Sequence, residues 1–148
     1  MPQLVYALRF TGQATPVGPD GNILRAYTST PGAAITARIT AEGLASTWDA
    51  LPGGEAHFRS EVTFTSETAF LETGTITFGA GNTLDFSTVG SGYLALSADP
   101  QRKHGTVMWR VDHGEGQFAG ATGLITSNFF VDEQLGVVDH HFGVLLLP

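Results

Sequence analysis

The chain predicts an all-β fold, a single antiparallel β-barrel of about eight to ten strands formed by residues 1–148 as one domain. Three observations carry that prediction. Apolar residues alternate with polar ones, or come in short runs bounded by Gly, Pro, Asn and Asp, and no segment has the periodicity of a long amphipathic helix. The composition is rich in Gly, Thr, Val, Phe and Ile, the residues of turns and pleated strands. Finally, the chain has few means of guarding an open sheet edge. Lys103 is its one lysine, and the last strand ends Val144-Leu145-Leu146-Leu147 with apolar residues on both faces. Open edges are normally blunted by Lys, Pro and inward charges, so closure into a barrel is favoured.

The pattern places strands at Leu4–Phe10, Ile23–Thr28, Ala33–Thr40, Glu55–Ser66, Thr68–Phe78, Leu84–Val89, Gly92–Leu96, Gly105–Asp112, Leu124–Val131 and Val137–Leu147. Pro19-Asp20-Gly21-Asn22 reads as a turn because Pro fixes φ and Gly accepts a positive φ. Pro52-Gly53-Gly54 and Gly79-Ala80-Gly81-Asn82 are similar, Asp99–Lys103 is a polar loop, and Asp132–Gly136 joins the last two strands. Ala41–Ala50, around Trp48, is the one stretch expected to hold a helical turn.

Charge excludes several functions. Fourteen carboxylates against seven cations leave a net charge of −7, which opposes nucleic acid or an anionic membrane as a partner. The absence of Cys excludes disulfides, thiolate catalysis and Cys-ligated metals. No apolar run approaches the roughly 20 residues of a membrane helix, and Met1–Phe10 lacks the basic start and apolar stretch of a signal peptide. A cytoplasmic location is the expectation.

The most specific motif is His113-Gly114-Glu115-Gly116-Gln117-Phe118-Ala119-Gly120-Ala121-Thr122-Gly123, set between two strands. Its glycines allow a tight reversal, and Phe118 can plug the end of a barrel. As a phosphate cradle it is weak, since it precedes a strand and carries no Lys. Strand, G-x-G-x-F-x-G-x-x-G, strand resembles the corresponding hairpin of the allene oxide cyclase and dirigent superfamily. The likeness covers roughly Gly105 to Leu147, and Val137–Leu147 looks like that family's closing strand. It implies a small antiparallel barrel, a hydrophobic cavity and self-association. The matching residues Gly114, Gly116, Phe118, Gly120 and Gly123 are structural ones. The cyclases' acidic residue on the first strand has no counterpart here, since Leu4–Phe10 has Arg9 and no carboxylate.

Candidate chemistry follows from strand parity. In Glu55–Ser66, His57, Arg59 and Glu61 share one face, opposite Phe58, Ser60, Val62 and Phe64. That row is either a solvated face or a set for proton transfer, with His57 and Glu61 as carriers and Arg59 stabilising anionic character. Arg110 pairs with Asp112 at i, i+2 and becomes an anion clamp if its face lines a cavity. In Val137–Leu147, Asp139 and His141 share a face with Gly143 and Leu145, while His140 lies on the apolar opposite face as a buried histidine or a base. Adjacent histidines on a strand point apart, so they cannot share a metal; no metal or other cofactor is expected.

The expected function is therefore binding of a small hydrophobic molecule, with cofactor-independent isomerase, cyclase or lyase chemistry as one form and a non-catalytic carrier or dirigent-like protein as the other. Low charge and the apolar C-terminal strand suggest a homo-oligomer, a dimer or trimer.

Overall fold

A computed structural model describes residues 1–148, of which 75% are strand. The nine strands are β1 (Gln3–Pro16), β2 (Ile23–Thr40), β3 (Gly43–Phe64), β4 (Ala69–Phe78), β5 (Thr83–Thr88), β6 (Gly92–Leu96), β7 (Arg102–Glu115), β8 (Thr122–Asp132) and β9 (Gly136–Leu146). The sole helical element is a 3-10 turn, Gly116–Phe118. All pairings are antiparallel. Hydrogen bonds run β1-β2-β3-β4-β5-β7-β8-β9 and back to β1, a ring of eight strands that is barrel-like without being even about one axis. The ninth, β6, bridges β4 and β7 beyond the end of β5, so β5 and β6 share one position in the wall.

Three expectations are corrected. Pro52-Gly53-Gly54 is not a turn between strands but lies within β3, opposite the bulge at Pro31–Ala33, where the extra residues are absorbed without reversing the chain. Ala33–Thr40 is not a separate strand, because the chain passes Pro31 and Gly32 through a bulge and continues as β2. Ala41–Ala50 holds no helical turn: Gly43–Ala50 is the start of β3 and pairs with Ala33–Thr40. Leu44 and Trp48, four residues apart, fall on one face of such a strand with Ser46 between them, which satisfies a two-residue period. Together these segments make a two-stranded arm that stands off the barrel.

Inward positions alternate along each strand, with a break at the bulge of β7 opposite Asp85 and Phe86. They include Leu4, Tyr6, Leu8 and Phe10 of β1, Phe58 and Ser60 of β3, Phe70, Glu72 and Ile76 of β4, Val107 and Trp109 of β7, Ile125 and Ser127 of β8, and Asp139, His141 and Leu145 of β9. One end of the barrel is filled. Phe118, 2% exposed, packs on Phe78 with ring centroids 5.3 Å apart, and Phe78 meets Tyr6 at 5.4 Å. The glycine-rich motif makes this closure. Gly116 and Gly120 take φ of 64° and 75° to turn the chain, and a Cβ at Gly114 would come within 2.9 Å of the Phe118 Cβ. The opposite end is open, bordered by the β1–β2, β3–β4, β6–β7 and β8–β9 connections.

Candidate functional site

From that open end a cavity of about 910 Å³ runs into the barrel. Its walls are mainly apolar: Leu24, Val62, Phe64, Phe70, Leu94 and Phe129 all line it. Phe58, stacked on Phe86 with centroids 5.3 Å apart, forms part of its inner end. Polar groups reach the inner end from four strands: Thr28 from β2, Glu72 from β4, Ser127 from β8 and Asp139 from β9.

Glu72 is 6% exposed on an otherwise apolar face between Phe70 and Ile76. Ser60 Oγ donates to its Oε1 at 2.6 Å, and the Trp109 indole N–H donates to its Oε2 at 3.0 Å. Burial pushes the Glu72 carboxyl up to about 8; the charge of Asp139 adds to this, and the Ser60 and Trp109 hydrogen bonds oppose it. At neutral pH Glu72 is therefore mostly protonated. Asp139 is 5% exposed. It accepts from Ser127 Oγ at 2.5 Å on one oxygen and from His141 Nε2–H at 2.8 Å on the other. The His141 ring is enclosed by Phe10, Phe58 and Trp109, and its Nδ1 has no partner. Thr28, 1% exposed, also keeps an unpartnered hydroxyl. Burial and the charge of Asp139 raise the Tyr6 phenol far above its ordinary range.

The residues singled out from sequence lie elsewhere. His57, Arg59 and Glu61 do come together, but on the outer wall, because β3 turns Phe58, Ser60, Val62 and Phe64 inward. The Tyr27 hydroxyl is 3.1 Å from His57 Nδ1, Arg59 lies over the Tyr27 ring at 5.1 Å, and exposed Glu61 is 3.7 Å from Arg25. Arg110 is exposed, 3.1 Å from Asp112. His140 also faces outward, donating through Nδ1–H to the Asn128 carbonyl at 3.3 Å, with its ring 5.6 Å from Trp48. Neither Arg110 nor His140 lines the cavity.

The groups that do reach the cavity had a sequence signal: a lone polar residue on an apolar face. Glu72 interrupts Phe70–Ile76, and Ser60 interrupts Phe58–Val62. Asp139 and His141 share one face. Chemically, the inner end offers one carboxyl group pushed up by burial and a second backed by a histidine, at the base of an apolar funnel. Nowhere do three His, Asp or Glu side chains converge closely enough to hold a metal ion. Comparison with protein-family models, with curated proteins and with solved structures yields no match to this chain.

Proposed function

We propose that the barrel binds a small hydrophobic molecule, with the apolar part along the cavity wall and a polar group at Glu72 and Asp139. The observation that carries this reading is the cavity itself: about 910 Å³, open at one end, apolar along its sides and polar only at its base and rim. That is the usual form of a small-molecule site, in which apolar area gives affinity and a few polar groups fix orientation. The resemblance of the Gly114–Gly123 hairpin to allene oxide cyclases and dirigent proteins supports the same reading. The test is saturable binding of the neutral fluorophore N-phenyl-1-naphthylamine. Bound probe should brighten at one site per chain, and Leu94→Trp, which fills the cavity, should abolish the signal without lowering the melting temperature. Failure of the wild-type protein to saturate would overturn the proposal.

A second reading, proton-transfer catalysis without a cofactor, draws on one specific observation. Burial pushes the Glu72 carboxyl up, while the Asp139 carboxyl accepts from Ser127 and His141, and unlike surroundings for two carboxyl groups are how acid and base roles are commonly divided. Glu72 would donate to a ligand oxygen while Asp139, positioned by His141 and Ser127, accepts a proton from carbon. Solvent deuterium would then enter a bound enolisable ketone, and Asp139→Asn would stop it.

A further inference from the structure

We propose that the ligand carries a protonated amine, held at the inner end of the cavity by Glu72, Asp139 and Thr28. This rests on the reading of the barrel as a binder of small apolar molecules and names the class of molecule.

Three observations converge. The first is Thr28. Its hydroxyl is buried in the cavity lining with no partner in the protein, although buried polar groups are nearly always paired. A ligand donor would supply that partner. The second is the arrangement around Glu72. The Trp109 indole N–H can only donate, and Ser60 Oγ is placed to donate as well. Both hydrogen bonds favour the ionised carboxylate, yet no positive side chain accompanies them. What the site lacks is a cation.

The third observation is the charge of the lining as a whole. Six carboxyl groups line the cavity (Asp20, Glu67, Glu72, Asp132, Glu133 and Asp139) against Arg102 and Lys103. Arg102 is at the rim, 2.9 Å from Asp99 and over the Phe130 ring at 4.1 Å. Lys103 is exposed at the same rim. Inside, the titratable groups facing one another are Tyr6 on β1, Glu72 on β4, and Asp139 and His141 on β9; β2, β3, β5 and β6 turn none inward, while β7 places Arg102 and Lys103, and β8 places Asp132, at the rim.

An ammonium group has three donors and no acceptor. It pairs with carboxylate and hydroxyl oxygens alone, and its charge would offset the burial and the Asp139 charge that push the Glu72 carboxyl up. A carboxylate ligand would instead meet Asp139 with no cation between them, at a large cost in low dielectric. An alcohol gains the hydrogen bonds without the charge. The proton balance is simple: the amine arrives protonated, Glu72 gives up its proton to solvent, and the ion pair remains.

The test uses octylamine, octanol and octanoate with the wild-type protein, by calorimetry at pH 7. Octylamine should bind about tenfold or more tighter than either analogue. Its binding enthalpy should vary with buffer ionisation enthalpy in the sense of net proton release. Glu72→Gln should remove both the preference and the proton release; because release is measured on the wild type, the proposal stays testable if that variant does not fold. Equal affinity for the three compounds, or amine binding without proton release, would overturn the amine assignment and leave the small-molecule reading standing. Binding of none of the three would overturn that reading too, and the amine assignment with it.

Discussion

The barrel and the arm are made from the same alternating sequence pattern, yet they have opposite physical fates. In the barrel every strand is paired on both sides, and the inward residues form one core in which Phe10, Ile76, Leu84, Ile125 and Leu145 are fully buried. In the arm, Ala33–Thr40 pairs only with Gly43–Ala50, leaving both outer edges free. Cross-strand pairs Ile35–Trp48, Ala37–Ser46 and Ile39–Leu44 still give the arm one mainly apolar face. Near the barrel that face is covered, with Trp48 lying against Arg9 and His140. Farther out, Ile39 is 89% exposed and Leu44 77%. Alternation makes a strand, but only closure or a partner gives it a core, and a lone two-stranded ribbon is marginal in water.

The largest effect that would sharpen the contrast is loss of a core ring. Phe86→Ala removes a side chain packed against Phe58 and Trp109, and chemical denaturation should show a loss of about 3–5 kcal/mol. Ile39→Ala in the arm should cost less than about 0.5 kcal/mol. A comparable loss at both positions would break the distinction.

Next in size is the response to pH. The folded protein holds the Glu72 proton up to about pH 8, whereas the unfolded chain releases it near 4.5. Between those values the folded state binds the extra proton, so this group makes stability fall as pH rises and contributes no further slope above about 8. Glu72→Gln keeps an acceptor for Trp109 and removes the ionisation, so its stability should decline less between pH 5 and 8, by about 1–3 kcal/mol over that window. Parallel stability–pH curves for the two proteins would place the proton elsewhere.

Assembly should give a smaller energetic change. The outer wall of β1, β8 and β9 exposes Val5, Leu124, Phe142 and Leu146, a second apolar surface on the same chain. A second copy can cover both surfaces reciprocally, as a two-fold interface requires. Sedimentation should find a homo-oligomer for the full chain, and Ile39→Asp with Leu44→Asp should shift it toward monomer while leaving the circular dichroism unchanged. A monomeric wild type would sink this expectation.

Smallest of all is the outer row of β3. Glu61→Gln should change stability by less than about 0.5 kcal/mol and leave ligand binding untouched, since its carboxylate is exposed and only 3.7 Å pairing with Arg25 is lost.

The barrel was legible in the sequence because its signals are local. The turns at Pro19–Asn22, Gly79–Asn82 and Asp132–Gly136 fall between strands, and the apolar alternation of β3, β4 and β7 points inward as a set. The arm was half legible: Ala33–Thr40 read as a strand, but Gly43–Ala50 did not, because Ala, Ser and Thr give it little hydrophobic contrast and it borrows no core. The site was only partly legible. Scarcity of charge drew attention to His57, Arg59 and Glu61, but charges gather most cheaply on a solvated face. Glu72 looked unremarkable as one acid among fourteen. Its importance comes from parity and from Ser60 and Trp109, which are 12 and 37 residues away in the chain.

The shared wall position of β5 and β6 has a kinetic side. Between their ends, Val89–Ser91 leaves Leu71 and Glu72 of β4 without cross-strand backbone partners on that side. The Glu72 amide donates instead to Thr88 Oγ1 at 2.7 Å, and that hydroxyl donates back to the Glu72 carbonyl at 2.9 Å. A side-chain clasp thus replaces two rungs of the ladder at the residue that holds the buried proton. Rotation of the Thr88 side chain would release both of these bonds at once without unzipping a strand. Amide exchange at Glu72 should accordingly outpace that at Ile76, four residues along the same strand, and Thr88→Val should widen the gap.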